Sequence, residues 1–221
     1  MSARHVDRAF SPADLAAVAA AVREVESRSP GEVVPYAVDR SDGYPEGTWA
    51  AATFAALLGG LAAAIINAAP GGWVEHVALW TAGPPTVGAA VGYLLATIWP
   101  GLRVRLVPAH TVEHRVHQRA LAAFVEQEVF KTRARTGILV FLSLLERRVV
   151  VLADAGINAR VPQGEWDAVA AEVIAGMRRA EPGHALSSAI RRCGDLLTTH
   201  GFTATPDDRD EFSNELRRRP E

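Results

Sequence analysis

The longest stretch of the chain with almost no charge is Gly47–Leu102, in which Glu75 is the single charged side chain. It contains two apolar runs, Trp49–Ala69 and Leu79–Trp99, and each is long enough to cross a bilayer, which takes about 20 apolar helical residues. Because proline lacks a backbone N–H, Gly83-Pro84-Pro85 predicts that the second helix begins late or kinks there. A pair of Ala-rich core helices in a soluble protein is the alternative. The length and the lack of charge favour a transmembrane hairpin over residues 47–102.

The positive charges on either side of this hairpin predict its orientation. Arg40 precedes the first run, and Arg103 and Arg105 follow the second. The connection Pro70–Ala78 contains no Lys or Arg. Because Lys and Arg favour the cytoplasmic side of a membrane, we expect both termini in the cytoplasm. The sequence thus predicts a multi-pass protein of the cytoplasmic (inner) membrane with a cytoplasmic soluble domain.

The remaining residues show helical and β-type patterns in turn. A helix opens at Ser11-Pro12, where serine can cap the helix and proline suits its first turn. Pro35 lies inside the first β-type run, which predicts an edge strand or a bulge there. The later elements are expected, in order, as a strand at Glu32–Val38, a long helix ending near Arg133, strands at Gly137–Leu144 and Arg147–Ala153, and helices at Trp166–Ala180 and Leu186–His200. The inward stripe of the long helix is expected at Val112, Val116, Ala120, Ala123, Phe124 and Gln127.

The order of these elements predicts the fold class. Only Leu145-Glu146 separates the last two strands, so these strands should pair as an antiparallel hairpin. The first two strands and the long helix between them should form a right-handed parallel crossover. The predicted fold is therefore α/β, a small mixed β-sheet sandwiched by helices, with an inserted two-helix transmembrane hairpin. The predicted boundaries are 1–46 and 103–202 for the discontinuous α/β domain, 47–102 for the hairpin, and 203–221 for a charged tail, expected to be disordered.

Composition and charge exclude several function classes. The chain has 221 residues and a net charge of −2, so it has no overall basic footprint for a nucleic acid. Its single cysteine, Cys193, excludes an intrachain disulfide and a cysteine-based metal site. We expect Cys193 to be a small core residue of a helix rather than a nucleophile. No apolar segment of the signal-peptide type precedes the first helix, so we expect no cleavable leader.

Several short motifs resemble the TPM domain, a family named after a thylakoid lumen protein, a photosystem II protein and a nematode receptor modulator. The motifs are Thr136–Ser143, Glu146–Val149, Ala153–Ile157, Pro30-Gly31-Glu32, Trp166, and Asn214-Glu215-Leu216, the last of which resembles a tail motif of the bacterial membrane members. His200-Gly201-Phe202 departs from the family's usual His-Phe-Pro. The resemblance implies a small α/β sandwich. Because the family includes a plant protein described as an acid phosphatase and members that help assemble or repair membrane complexes, the fold alone does not specify the activity.

The predicted topology places Glu32 and Asp154 at the same edge of the sheet. Carboxylate oxygens are the ligands that Ca²⁺ and Mg²⁺ prefer, so Glu32 and Asp154 are the candidate ligands of a metal that would polarise a phosphate. The alternative is that Asp154 caps a turn while Glu32 pairs with Arg135 at the surface. The carboxylates at the opposite edge of the sheet are Asp39, Asp42 and Glu146, of which Asp39 and Asp42 are expected to mark a solvated loop rather than a second site.

Three histidines in the long helix, His110, His114 and His117, recur at helical spacing and fall on one face beside Glu113. Imidazoles at such spacing can bind zinc. Because this face points away from the apolar stripe of the helix, an exposed cluster without supporting ligands is the expected arrangement.

These observations lead to three functional hypotheses. The first is a membrane protein that presents a TPM-like domain to a membrane-protein partner, as a non-enzymatic factor in assembly, maintenance or modulation of a complex. The second is a metal-dependent, acid-phosphatase-like hydrolase that uses Glu32 and Asp154 with Ca²⁺ or Mg²⁺. The third is a module that senses lipid headgroups through Arg103, Arg105 and the histidines. No nucleophile elbow, phosphate loop or zinc-protease motif occurs in the sequence.

Overall fold

A computed structural model describes residues 9–68, 76–179, 181–202 and 212–219, without the side chains of Arg178 and Arg219. The chain divides into two compact units. We name Met1–Ser41 with Glu113–Glu221 the α/β unit, and Asp42–Val112 the hairpin unit. These boundaries differ by several residues from the predicted ones, because Asp42–Glu46 and Arg103–Val112 cluster with the hairpin.

The elements follow one another in nearly the expected order. They are α1 (Pro12–Glu26), β1 (Glu32–Val38), α2 (Pro45–Ala68), α3 (Val77–Ile98), α4 (Pro100–Leu106), α5 (Ala109–Glu126), a 3₁₀ turn (Val129–Lys131), β2 (Gly137–Ser143), β3 (Arg148–Ala153), α6 (Ala155–Asn158), α7 (Gln163–Arg178), α8 (Pro182–Thr199) and β4 (Arg217–Arg219). As predicted, Ser11 caps α1, and Asp14 completes a capping box. The long helix α5 ends at Glu126, earlier than predicted, because Glu128 adopts a left-handed backbone conformation with φ 57°.

The α/β unit contains a four-stranded mixed sheet in the order β3-β2-β1-β4. β1 runs parallel to β2, and β2 pairs antiparallel with β3, as the sequence predicted. β4, which pairs parallel with β1, was not predicted. The mixed α/β fold is therefore confirmed, with one strand more than the sequence suggested.

Pro35 lies in an inner strand rather than at an edge, which corrects the prediction. The Glu32 N–H donates to the Thr136 carbonyl on the β2 side at 3.2 Å. Because successive residues of a strand turn their amides to opposite sides, the position of Pro35 faces the other side, towards β4. The missing N–H therefore breaks no hydrogen bond with β2, and β4 begins its pairing only at Tyr36.

The two faces of the sheet are covered by different helices. On one face, Val33, Ile138 and Val140 belong to a core cluster with residues of α1, α7 and α8. On the other face, Tyr36 stacks on Phe141 with ring centroids 6.0 Å apart. Arg119 of α5 donates to the Tyr36 hydroxyl at 3.3 Å, so α5 covers this second face. The predicted inward stripe of α5 is buried or half-buried throughout.

The hairpin unit is built on a close approach of α2 and α3. A Cβ added to Gly88 or Gly92 would lie 2.3 Å or 2.4 Å from a backbone carbonyl of α2, and one added to Gly59 would lie 2.4 Å from the Pro84 carbonyl. Every buried residue of these two helices is glycine, alanine or threonine. Their large apolar side chains, from Trp49 and Phe54 through Leu94 and Ile98, are exposed.

The predicted late start of α3, after its prolines, is wrong, whereas the alternative of a kink at the prolines stays a prediction. The helix begins at Val77 and continues through Pro84 and Pro85. The Thr86 hydroxyl donates to the Ala82 carbonyl at 2.7 Å, one turn earlier. The sharp change of direction comes later, because α4 is bent by 110° from α3. Residues 70–75 of the predicted connection lie outside the described residues.

The C-terminal tail also differs from the prediction. Residues 203–211 of the predicted disordered tail lie outside the described residues, but 212–219 are ordered and include β4. Leu216 is buried in the core cluster, and the Asn214 amide donates to the Glu26 carboxylate at 2.7 Å. Composition indicates disorder here because it does not show that Leu216 is buried in the core and that Asn214 forms a hydrogen bond with Glu26.

Candidate functional site

The predicted metal ligands lie in one row across the start of the sheet. Glu32 pairs in register with Gly137, and the Asp154 N–H donates to the Gly137 carbonyl at 2.9 Å. Neighbours in register project to the same face of a sheet, so Glu32 and Asp154 flank Gly137 on the face that α5 covers. Glu32 and Asp154 are both buried. The prediction that they share an edge of the sheet is borne out by this register.

A backbone carbonyl lies over Gly137, which stands between Glu32 and Asp154 in this row. The Val129 oxygen lies 2.0 Å from the position that a Cβ on Gly137 would take. Glycine is therefore required at residue 137, since any side chain would collide with this oxygen. The row thus combines two carboxylate residues, Glu32 and Asp154, with the Val129 carbonyl at the amino end of β1 and β2.

Asp154 makes two contacts that have a structural role. Its Oδ1 accepts from the Ala155 N–H at 2.7 Å and caps the short helix α6. Its Oδ2 lies 2.9 Å from Nε of Arg135. The capping half of the structural alternative is therefore correct, but Arg135 pairs with Asp154 rather than with Glu32. Because the Arg135 side chain is 54% exposed and that of Asp154 only 4%, the arginine can leave this carboxylate at a smaller cost than a buried partner could.

Threonines hold the backbone of this edge in place. The Thr136 hydroxyl donates to the Pro30 carbonyl at 2.7 Å, which joins the residues before β2 to those before β1. The Thr136 N–H donates to the Thr132 hydroxyl at 2.8 Å. Both threonines are buried. The donor row therefore sits on a backbone that is fixed on both sides of Gly137.

The oxygen atoms of this row are of the type that a hard cation binds, but they are fewer than such a cation needs. Ca²⁺ takes six to eight oxygen ligands, and Mg²⁺ about six, so water or substrate would have to supply the rest. Within the residues that the structure describes, no group of three or more His, Cys, Asp or Glu side chains is arranged to hold a metal. Glu32, the Val129 carbonyl and Asp154 can accordingly provide part of a cation site, with Arg135 as the competing cation.

The carboxylates at the carboxyl ends of β1 and β2 have a different arrangement. Glu146 is buried, and its carboxylate accepts from the Ser41 N–H at 2.9 Å and from the Ser143 hydroxyl. Ser41 also donates to Ser143 at 2.8 Å. Glu146 therefore fixes the end of β1. Asp42 accepts from the next backbone N–H, that of Gly43, at 2.5 Å and turns the chain.

Arg103 is committed to holding a helix end. Its guanidinium donates to the carbonyls of Ala96 and Thr97 at 2.6 and 3.0 Å, and to that of Gly43 at 3.2 Å. A cation placed on the last carbonyls of α3 satisfies groups that the helix itself leaves unpaired. Of the two arginines assigned to headgroup sensing, only the exposed Arg105 has its side chain directed to solvent.

The histidines and the cysteine match their expected settings. His110, His114 and His117 are all exposed. Cys193 is fully buried, and burial raises the pKa of its thiol to about 12. A thiol with this pKa carries almost no thiolate near neutral pH, so it lacks the reactive form of a nucleophile.

Two features of the chain's sites were missed by sequence reasoning. The Val129 oxygen is a backbone atom and gives no signal in a sequence. The docked segment Phe212–Arg219 did leave a signal, because Asn214-Glu215-Leu216 resembled a family tail motif. That motif was outweighed by the charge of its neighbours.

Comparisons with known proteins support the fold and no more. No family model and no curated protein matches the chain. The NMR structure of the BA42 protein from the psychrophilic bacterium Bizionia argentinensis is similar, with a TM-score of 0.57 and 15% identity, over 95% of this chain and 94% of that one. At this identity the likeness concerns the fold, because the same fold hosts unrelated activities.

Proposed function

We propose that the chain is a multi-pass protein of the cytoplasmic membrane that presents its α/β unit to a membrane-protein partner in the cytoplasm. Its role would be the assembly, maintenance or modulation of a membrane complex. The observation that carries this proposal is the side-chain distribution of the hairpin unit, with small residues between the helices and large apolar residues outside. Such an arrangement is costly in water and suited to lipid, where small residues allow helices to approach closely.

Length and charge support the same location. α2 is long and apolar enough to span a membrane, with a mean hydropathy of 2.0 over its best window, of which only 17% is buried. α3 and α4 meet the same test as a bent pair. The arginines at the two outer ends of the hairpin support a cytoplasmic α/β unit through the positive-inside rule.

The proposal of a protein partner is supported by one exposed apolar pair. Among the described residues of the α/β unit, the large hydrophobic side chains that remain exposed are Leu121 and Val125 of α5, at 47% and 62%. They are four residues apart and therefore neighbours on one helix face. Exposed apolar helix positions of this kind are typical of partner contacts. The resemblance to a family with assembly and repair members supports the same role.

Affinity capture from detergent extracts tests the partner. We expect a membrane protein to co-purify with the wild-type chain and to be lost from the Leu121→Glu/Val125→Glu variant, because charges at these two positions would oppose an apolar contact. The matched control is Ala171→Glu/Ala175→Glu on α7, which has the same spacing and added charge at exposed positions. We expect this control to retain the partner in quantitative mass spectrometry.

Two outcomes would contradict the partner proposal. One is that nothing is enriched in stoichiometric amount with the wild-type chain. The other is that the α5 variant and the α7 control lose the companion equally, which would make the effect one of general charge rather than of this surface.

The row of oxygen donors supports a second candidate, a cation-dependent phosphatase. Glu32 and Asp154 would hold Ca²⁺ or Mg²⁺ together with the Val129 carbonyl. The ion would supply the positive charge that polarises a phosphate. Arg135, which is half-exposed beside Asp154, could donate to a phosphate oxygen once released from that carboxylate.

Calorimetric titration of the full chain with CaCl₂ or MgCl₂ tests this candidate. We expect Asp154→Asn to weaken binding at least tenfold, since the amide removes one negative ligand. Asp167→Asn on the exposed side of α7 should leave binding unchanged. Hydrolysis of a model phosphoester in the presence of the ion, abolished in Asp154→Asn alone, would favour the enzyme. Absence of both binding and turnover would exclude it and leave the partner proposal untouched.

A further inference from the structure

The outer edge of β1 is occupied by a segment from the far end of the chain. β4 pairs with Tyr36, Ala37 and Val38 only, about half the length of β1. The nine residues 203–211 that connect this segment to the rest of the α/β unit lie outside the described residues. The segment Phe212–Arg219 thus covers only part of this edge of β1.

Side chains of this segment contact the rest of the α/β unit at three positions that the structure describes. The Asn214 amide donates to Glu26 Oε2 at 2.7 Å, and Leu216 is buried in the core cluster. The Arg217 guanidinium donates to Gln127 Oε1 at 2.9 Å. Glu26 is the last residue of α1, and Gln127 follows the last residue of α5. We call the space between these two helix ends, along the outer edge of β1, the edge notch.

The segment also has a contact between two of its own residues. The Arg217 guanidinium lies over the ring of Phe212, 5.3 Å from its centroid. This cation–π contact joins two residues of the segment itself and therefore holds it in its bound shape rather than onto the domain. Burial lowers the pKa of Arg217 from its ordinary value, in keeping with a side chain that leaves water on docking.

The few contacts of this segment are weighed against the conformational freedom that it loses, as they are for a short peptide ligand at its site. Docking orders eight residues, and each ordered residue loses conformational freedom. Against this cost stand the buried Leu216, the side-chain hydrogen bonds of Asn214 and Arg217, and a three-residue strand pairing. The covalent connection to the rest of the chain raises the effective concentration of the segment at this edge, which lets weak contacts suffice for docking.

We propose that the edge notch is a peptide-binding site, that Phe212–Arg219 is its resident ligand, and that it accepts an extended peptide with the pattern Asn-Xaa-Leu-Arg in trans. The backbone of such a peptide adds a parallel strand to β1, and its side chains supply specificity, as in other cases of strand addition. The Asn side chain donates to the Glu26 carboxylate, the Leu side chain fills the buried position, and the Arg guanidinium donates to Gln127. A partner with this pattern in an extended tail would compete with the chain's own segment.

This inference goes beyond the proposed function, because it assigns a second binding surface and its chemistry. It concerns the edge of the sheet next to β4, whereas the exposed pair Leu121 and Val125 lies on the solvent side of α5. Its test uses a synthetic peptide and needs neither the membrane partner nor a metal. Failure of one proposal is therefore distinguishable from failure of the other.

The experiment uses the full chain in detergent with a specific protease site placed within residues 203–211. After cleavage, a fluorescent peptide with the sequence of residues 212–221 is added, and its anisotropy is followed as the protein is titrated. We expect the cleaved protein to bind the peptide saturably, with displacement by unlabelled peptide, and the uncleaved protein to bind it at least tenfold more weakly. Far-ultraviolet circular dichroism checks that the cleaved protein stays folded.

Peptide variants test the assigned contacts. Asn214→Ala and Leu216→Ala should each weaken binding at least tenfold. Arg217→Gln should also weaken binding, whereas Glu215→Gln, which neutralises an exposed neighbour, should change affinity less than twofold. Both substitutions introduce glutamine, Arg217→Gln at a position that contacts Gln127 and Glu215→Gln at an exposed position.

Three results would overturn the proposal. The first is that the cleaved segment stays bound through dilution and gel filtration and does not exchange with added peptide. The second is that the domain unfolds once the segment leaves. In either case the segment is an integral strand and not a ligand. The third is equal binding by all peptide variants, which would mean that none of the assigned side chains is recognised.

Discussion

A cysteine introduced at Glu75 will react with a membrane-impermeant maleimide in intact cells, and one introduced at Ser213 will react only after the membrane is permeabilised. The first position lies in the predicted connection between the two apolar helices, which has no Lys or Arg. The second is an exposed residue of the α/β unit. The expected effect is all-or-none, because a folded hairpin places the two positions on opposite sides of the bilayer.

The native cysteine gives a low background in this experiment. Cys193 is completely buried, and its pKa of about 12 leaves it almost wholly in the unreactive thiol form. The chain with Cys193 alone, and the same pair of cysteines in a Cys193→Ser background, serve as controls. Labelling of both positions only after permeabilisation, together with release of the protein by alkaline carbonate, would show two core helices of a soluble protein. The reverse labelling pattern would invert the orientation.

Replacing Gly137 by alanine will destabilise the α/β unit by about 3 kcal/mol or more, towards the upper end of overpacking effects in cores. The added methyl group would lie 2.0 Å from the Val129 carbonyl oxygen, a backbone atom that cannot swing away. To relieve the clash, the 3₁₀ turn that carries Val129 must move relative to β2, which would also disturb the row formed by Glu32 and Asp154. Denaturant unfolding in detergent, followed by the fluorescence of the fully buried Trp166, measures the loss.

The matched control is Gly164→Ala near the start of α7. A Cβ at this position meets no atom within 4 Å, and alanine is the better helix former by up to about 1 kcal/mol. We expect this variant to be as stable as the wild type or slightly more so. Equal stability of Gly137→Ala and wild type would mean that the Val129 oxygen does not lie against Gly137, and the proposed donor row would then lose its central member.

Local sequence signals predicted most of the soluble architecture. The Ser11-Pro12 cap, the parallel pairing of β1 and β2 and the β2–β3 hairpin all follow from short-range rules on caps, periodicity and connection length. The shared edge of Glu32 and Asp154 followed from strand direction alone. These predictions succeeded because each depends on residues close in sequence or on a handedness that nearly all proteins share.

The failures have a common physical cause. Pro35 was assigned to an edge because the sequence does not show which side of a strand a missing N–H faces. Arg135 was paired with Glu32 instead of Asp154. The sequence does not show that Arg135 itself has a left-handed backbone conformation with φ 57°, and therefore does not show which carboxylate its side chain reaches. Each case depends on atoms that only folding brings together.

By itself, the sequence determined that an uncharged pair of helices is inserted behind the first strand of a small α/β unit, because length and charge are properties of the unfolded chain as much as of the folded one. Tertiary structure alone decided which side chains of that pair face each other, that the Val129 oxygen lies against Gly137, and that Phe212–Arg219 docks beside β1. These features depend on backbone approach and burial over long sequence separations, and no local pattern encodes such distances.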